Sequence, residues 1–204
     1  NDDRIQAKFV VQRIRDLIEE GTDPSEIAVL YRAHFHSMEL QMELTRGEIP
    51  FRITSGIRFF EQAHIKDVVA FMRFVVNPKD ELSFRRMVML LPGIGPGMAQ
   101  KLWIRWTACP ESRQETPPES FSALMLDFPV PAKSRTAWTQ LCYTLDELAP
   151  AGKLAGPASM LLSINEAVYD EYMQAAFENY DQRRQDLLHL AGFSERFEST
   201  EDFL

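Results

Sequence analysis

Apolar side chains recur every three to four residues through most of this chain, and two breaks in that rhythm before residue 57 shape the expected fold. Ile5, Phe9, Val10, Ile14, Leu17 and Ile18 follow Asp2-Asp3 at helical spacing and end at Gly21, so an amphipathic helix is predicted. After the turn Thr22-Asp-Pro-Ser25, Ile27-Ala-Val-Leu-Tyr31 is a continuous apolar run rich in branched residues, which predicts a buried strand of a parallel sheet. A second helix is expected at about 36–46, where Met38, Leu40, Met42 and Leu44 give a blurred pattern before Gly47. Pro50-Phe-Arg-Ile-Thr54 then alternates as a second strand would, closed by Ser55-Gly56. Helix, strand, helix, strand is the order of an α/β unit.

Beyond residue 57 the helical period takes over. Ile65, Val68, Val69, Met72, Val75 and Val76 predict a helix ending at Asn77-Pro78, Asp80 caps one from Glu81 to Leu91, and Met98 to Ala108 forms another. Five prolines, Pro110, Pro117, Pro118, Pro129 and Pro131, mark a connector with one brief helix at about 120–126. Helices follow at 134–148, 156–165 and 166–189, the last amphipathic through Val168, Tyr172, Ala176, Phe177, Tyr180, Leu187 and Leu188. The expected class is mainly α with a small parallel α/β portion.

Leu91 to Trp103, LPGIGPGMAQKLW, places a Gly-Ile-Gly turn between two of these helices. That is the layout of a helix-hairpin-helix: Gly93 and Gly95 allow backbone angles that turn N–H groups outward, while Ile94 plugs the hairpin between its helices. With Gly97 opening the second helix, the positive end of the helix dipole joins them, and the natural ligand is a nucleic-acid phosphate. From Leu82 to Pro110 the basic residues are Arg85, Arg86, Lys101 and Arg105, with no acidic residue among them. A plain Gly-Pro helix connection is the other reading.

The net charge of −8 conceals an asymmetry. Residues 1–110 carry 15 basic and 14 acidic side chains, whereas 111–204 carry 7 and 16, so the acidity lies in the second half and leaves local phosphate binding open. Cys109 and Cys142 have no partners at metal-ligand spacing, and His34-x-His36 lacks a third ligand, so no metal site is expected. No apolar run approaches a membrane span and no secretory leader is evident, so a soluble, cytoplasmic protein is expected. The chain does not start with Met and stops where Ser199-Thr-Glu-Asp reads as a helix start; an excised fragment is expected. There is no glycine-rich P-loop and no Ser/His/Asp or Cys/His arrangement.

Two further places carry candidate chemistry. In a parallel sheet the functional edge lies beyond the carboxyl ends of the strands, where Tyr31 offers a ring face to a base and Arg32 a fork to a phosphate; a strand-end tyrosine and a solvated arginine are the alternative. Of the adjacent Phe59 and Phe60, one is expected in the core and the other as a platform for single-stranded bases, with core packing of both left open.

Taken in order, IAVLYRAHFHSMELQMEL, IPFRITSGIRFFEQAHIKDVVAFMRFVVNPKDELSFRRMV and PGIGPGMAQKL resemble the carboxyl-terminal half of the UvrD/PcrA/Rep helicases of superfamily 1. The resemblance covers 5–105 well and 180–204 more loosely. It implies that 1–76 is the first part of the second RecA-like motor domain and 77–204 the helical domain inserted into it, with a helix-hairpin-helix at about 81–108. It implies roles in ATP-dependent DNA unwinding, in repair or replication. Tyr31 and Arg32 would bind ATP, Arg32 as the catalytic charge-stabilising group. Arg58, Phe59, Phe60 and Lys66 would lie near single-stranded DNA, and Gly93, Ile94, Gly95, Gly97 and Lys101 would contact duplex. ATP and Mg2+ would serve the full-length protein, the metal ligands belonging to a missing first motor domain. The family's usual Asn and Gln after Tyr-Arg are here His34 and His36, and its Arg and Glu after Phe-Phe-Glu are Gln62 and His64. The alternative from another class is a non-enzymatic helix-hairpin-helix module for DNA binding or protein docking.

Overall fold

The computed structural model describes residues 3–32, 36–53 and 59–204. It divides into two compact units, Asn1–Gln62 and Ala63–Leu204. In the first, α1 (Asp3–Glu19) packs on α2 (His36–Arg46) through Val11, Ile14 and Leu44, with Val10, Ile18, Ile27, Leu40, Ile49 and Phe51 around them. Gly21, at φ +96, stops α1, and the Thr22 N–H reaches back to the Leu17 carbonyl. That left-handed step is one a glycine takes without a Cβ penalty.

The expected parallel sheet is absent among the described residues, which contain no strand. Ile27 to Tyr31 lies outside regular structure, and Leu30 is 94% exposed where a buried strand was expected. A strand is stabilised by the hydrogen bonds of its neighbours, and residues 50–53 form no ladder with it. Ile5 and Phe9 on α1 are likewise exposed, because the apolar arc of α1 is wider than the side buried with α2. Thr54 to Gly56 lie outside the described residues.

The second unit is built on α3 (Ala63–Val76), buried on nearly every face, from His64 through Val75. Around it stand α4 (Glu81–Val88), α5 (Pro96–Thr107), α6 (Phe121–Met125), α7 (Arg135–Leu148), α8 (Pro157–Ile164), α9 (Asp170–Ala176), α10 (Tyr180–Ser194) and α11 (Thr200–Phe203). The aromatic centre joins Phe74 to Phe84, Trp106 and Phe121 at ring separations of 5.2, 5.4 and 5.7 Å. The two fully buried indoles are satisfied, Trp106 Nε1 donating to the Pro78 carbonyl and Trp138 Nε1 to that of Met125.

Caps fall where side-chain chemistry places them. Asp80 accepts from the Ser83 N–H and hydroxyl, Ser120 accepts from Ala123 N–H, and Ser199 accepts from Asp202 N–H. The helix predicted over 166–189 is interrupted. Residues Asn165–Tyr169 form a π-helical turn continuing α8, and Phe177 leaves the helical region at φ −131, ψ 127. Its ring meets Tyr172 edge-on and lies 4.0 Å beneath the Arg183 guanidinium, contacts that outweigh the local helical period.

Candidate nucleic-acid interface

The connection between α4 and α5 is tightened from both ends. Leu90 and Leu91 donate to the carbonyls of Met87 and Val88, closing α4 before the expected Leu91, since Pro92 disfavours a helical residue ahead of it. Pro96 then occupies the first turn of α5, where its missing N–H costs nothing. Ile94 is buried at 4% exposure and its N–H donates to the Leu91 carbonyl, so it holds the turn shut as expected.

The two glycines of the turn do different things. Gly93 has φ +80, a left-handed conformation, whereas Gly95 is extended at φ −94, ψ −179 and caps α5 without a side-chain bond. The expectation that both need glycine geometry is corrected. A Cβ at Gly95 or Gly97 would meet nothing within 4 Å, so the approach to the first N–H groups of α5 is open. Those groups have no helical partner to bond, and the helix dipole adds positive potential there.

The basic run is also smaller than its residue count. Arg85 bonds to Glu81 at 3.2 Å and Gln100 at 3.0 Å, and Arg86 to Asp67 at 2.7 Å, so both are engaged internally. Lys101 and Arg105 are exposed, and neither has an ion-pair carboxylate among the described residues. Two residues escaped the sequence reading. Ser134 donates its hydroxyl to the Pro92 carbonyl at 2.6 Å, and Lys133 lies against Gly93. Only a chain fold brings position 133 to position 93, and no local periodicity announces it.

The remaining candidate residues are scattered. Tyr31 is half-buried and Arg32 exposed, both outside any strand. Phe59 is buried and Phe60 partly so, their rings edge to face at 5.3 Å, while Lys66 is on the exposed side of α3. Arg58 and His34 lie outside the described residues.

Asp67 is internal: it accepts from Arg86 Nε and from the Tyr169 hydroxyl, each at 2.7 Å. Burial first, then the Asp67 charge, pushes the Tyr169 hydroxyl pKa far up, so it stays a donor. His64 is also internal, its Nδ1 2.8 Å from Arg183 Nη1 and its Nε2 3.2 Å from Asp186. A guanidinium only donates, so a hydrogen bond between Arg183 and this ring has Nδ1 as its acceptor. These two clusters tie α3 to the helices around it.

The fold and site so far define a helical protein with an open, positively polarised helix-turn-helix element. The chain belongs to the family described as the UvrD-like helicase C-terminal domain, whose model matches residues 1–129. It is 41% identical to DNA helicase II of Haemophilus influenzae over 83 residues, covering 41% of this chain and 11% of that protein. DNA helicase II of Escherichia coli is 39% identical over 83 residues, 41% of this chain and 12% of its own length. The ATP-dependent DNA helicase PcrA of Staphylococcus epidermidis is 31% identical over 101 residues, 49% of this chain and 14% of its own. The aligned region thus spans about an eighth of these relatives. No helix among the described residues is long and apolar enough to cross a membrane.

Proposed function

We propose that the chain is part of a cytoplasmic ATP-dependent DNA helicase serving repair or replication, and that its α4–α5 element is a helix-hairpin-helix contacting duplex phosphates. The observation that carries this reading is the open amino end of α5, where Gly95 and Gly97 leave space for an anion, in a chain of the UvrD-like family. Residues 1–76 belong to the second RecA-like motor domain in this reading and 77–204 to the inserted helical domain. The exposed Ile5, Phe9 and Leu30 support it, being apolar groups that a sheet from the rest of the motor domain would cover. Arg58, Phe59, Phe60 and Lys66 are assigned to single-stranded DNA in this reading, with Phe59 buried edge to face with Phe60.

Tyr31 packs on the adenine, and Arg32, exposed and without an ion-pair partner among the described residues, reaches the γ-phosphate. Mg2+ neutralises phosphate charge in such sites, and its ligands belong to the first motor domain. This chain by itself therefore hydrolyses no ATP. Titrating labelled duplex with the chain at several salt concentrations tests the hairpin. Changing Lys101 to Ala should lower the salt slope by about one and weaken all sequences alike. A wild-type slope and affinity would remove the Lys101 contact, and DNA-stimulated hydrolysis by the pure chain would overturn the division of labour.

A further inference from the structure

The proline-rich connector has no assigned role, yet part of it is seated on the Gly-Ile-Gly turn. Ser134 is fully buried and its hydroxyl bonds the Pro92 carbonyl at 2.6 Å, which anchors the short 3-10 turn Ala132–Ser134 beside Gly93. Lys133 then crosses the glycine itself. A Cβ at Gly93 would collide with Lys133 Cε and come 2.9 Å from Nζ and 3.0 Å from Cδ. The aliphatic stem occupies the space a side chain at 93 would need, and it delivers the ammonium to the turn. Lys133 is exposed and, unlike Arg85 and Arg86, has no carboxylate at ion-pair distance among the described residues.

We propose that Lys133 is a duplex-phosphate contact of the hairpin, supplied from the connector, and that position 93 is glycine partly to seat it. The inference rests on the hairpin being a duplex contact, and extends it to a residue far away in sequence. In this reading three kinds of group serve the contact: the open N–H groups of α5, Lys101, and the Lys133 ammonium, whose stem passes Gly93.

The test is a duplex titration at several salt concentrations with the 204-residue chain, comparing wild type, Lys133→Met, Lys133→Arg and Lys101→Ala. Methionine keeps an apolar stem over Gly93 and removes only the charge. Lys133→Met should lower the slope of log affinity against log salt by about one, equally for unrelated duplex sequences, with an unchanged melting temperature. Lys133→Arg should keep the wild-type slope. A wild-type slope for Lys133→Met, with Lys101→Ala still losing about one, would overturn the role of Lys133 and leave the hairpin reading standing. Equal losses for the Met and Arg variants would show that packing, not charge, acts there, and would also overturn it. No duplex binding by the wild-type chain would bring down the hairpin reading and this inference together.

Discussion

The Gly-Ile-Gly turn and the Ile27–Tyr31 run are both short stretches carrying candidate chemistry, but they differ in what surrounds them. The turn has Ile94 buried, Pro92 bonded by Ser134, and both flanking helices packed into the second unit. The run leaves Leu30 at 94% exposure and Val29 at 37%, with no ladder beside it. A helix satisfies its backbone from within its own segment, whereas a strand needs a neighbour. A helical hairpin therefore stands on its own contacts where a lone parallel strand does not.

The largest expected effect bears on the exposed stretch. On the proposed helicase reading, Arg32→Ala in the longer protein should reduce ATP hydrolysis by roughly 10³-fold, the scale of an arginine-finger loss, with little change in single-strand affinity. Steady-state turnover at saturating ATP measures this, and normal turnover would make Arg32 a surface residue. Stability gives the next contrast. Trp106→Ala should cost about 3–5 kcal/mol in this chain, while Leu30→Ala should stay within about 0.5 kcal/mol. In a longer protein that supplies the sheet, Leu30→Ala should cost about 2–5 kcal/mol by denaturant unfolding. Equal small effects of Leu30→Ala in both would mean that no sheet covers it.

An alkaline titration probes the packed unit. Burial first, then the nearby Asp146 charge, pushes the Cys142 thiol from 9.0 up to about 12. The unfolded chain loses this proton near its ordinary value while the folded chain keeps it. The thiol's contribution is full below that value and is lost as pH rises towards about 12. Over that window stability should fall by up to about 1.4 kcal/mol per pH unit on its account. Cys142→Ala should flatten this limb, and an unchanged limb would show that the thiol is not dry.

The smallest contrast lies within the turn. Gly93→Ala should destabilise by about 1–2 kcal/mol because of its positive φ, with Lys133 displaced as well. Gly95→Ala should alter stability by less than about 1 kcal/mol, its backbone being extended and its surroundings open. Thermal melts of both variants check the difference, and equal losses would contradict the two conformations.

Helical periodicity together with Asp80, Ser120 and Ser199 was enough to locate α4, α6 and α11, because caps and amphipathic spacing are local properties. The order of motifs was enough to place the chain in its family. Four features were legible only in three dimensions. The π-helical turn interrupts the predicted helix, and its break at Phe177 coincides with the ring's contacts to Tyr172 and the Arg183 guanidinium. Arg85 and Arg86 are spoken for because Glu81, Gln100 and Asp67 reach them, so the count of basic residues overstated the free charge. The strand assigned to Ile27–Tyr31 lacked its partners, since apolar composition marks a segment as fit for burial without supplying what buries it. Finally, Lys133 met Gly93 across forty residues of chain. The sequence sufficed for most of the helices and for the caps at Asp80, Ser120 and Ser199, all of which depend on near neighbours. The tertiary structure alone decided which cations remain free and which distant lysine reaches the Gly-Ile-Gly turn, because side-chain pairing depends on distance in space.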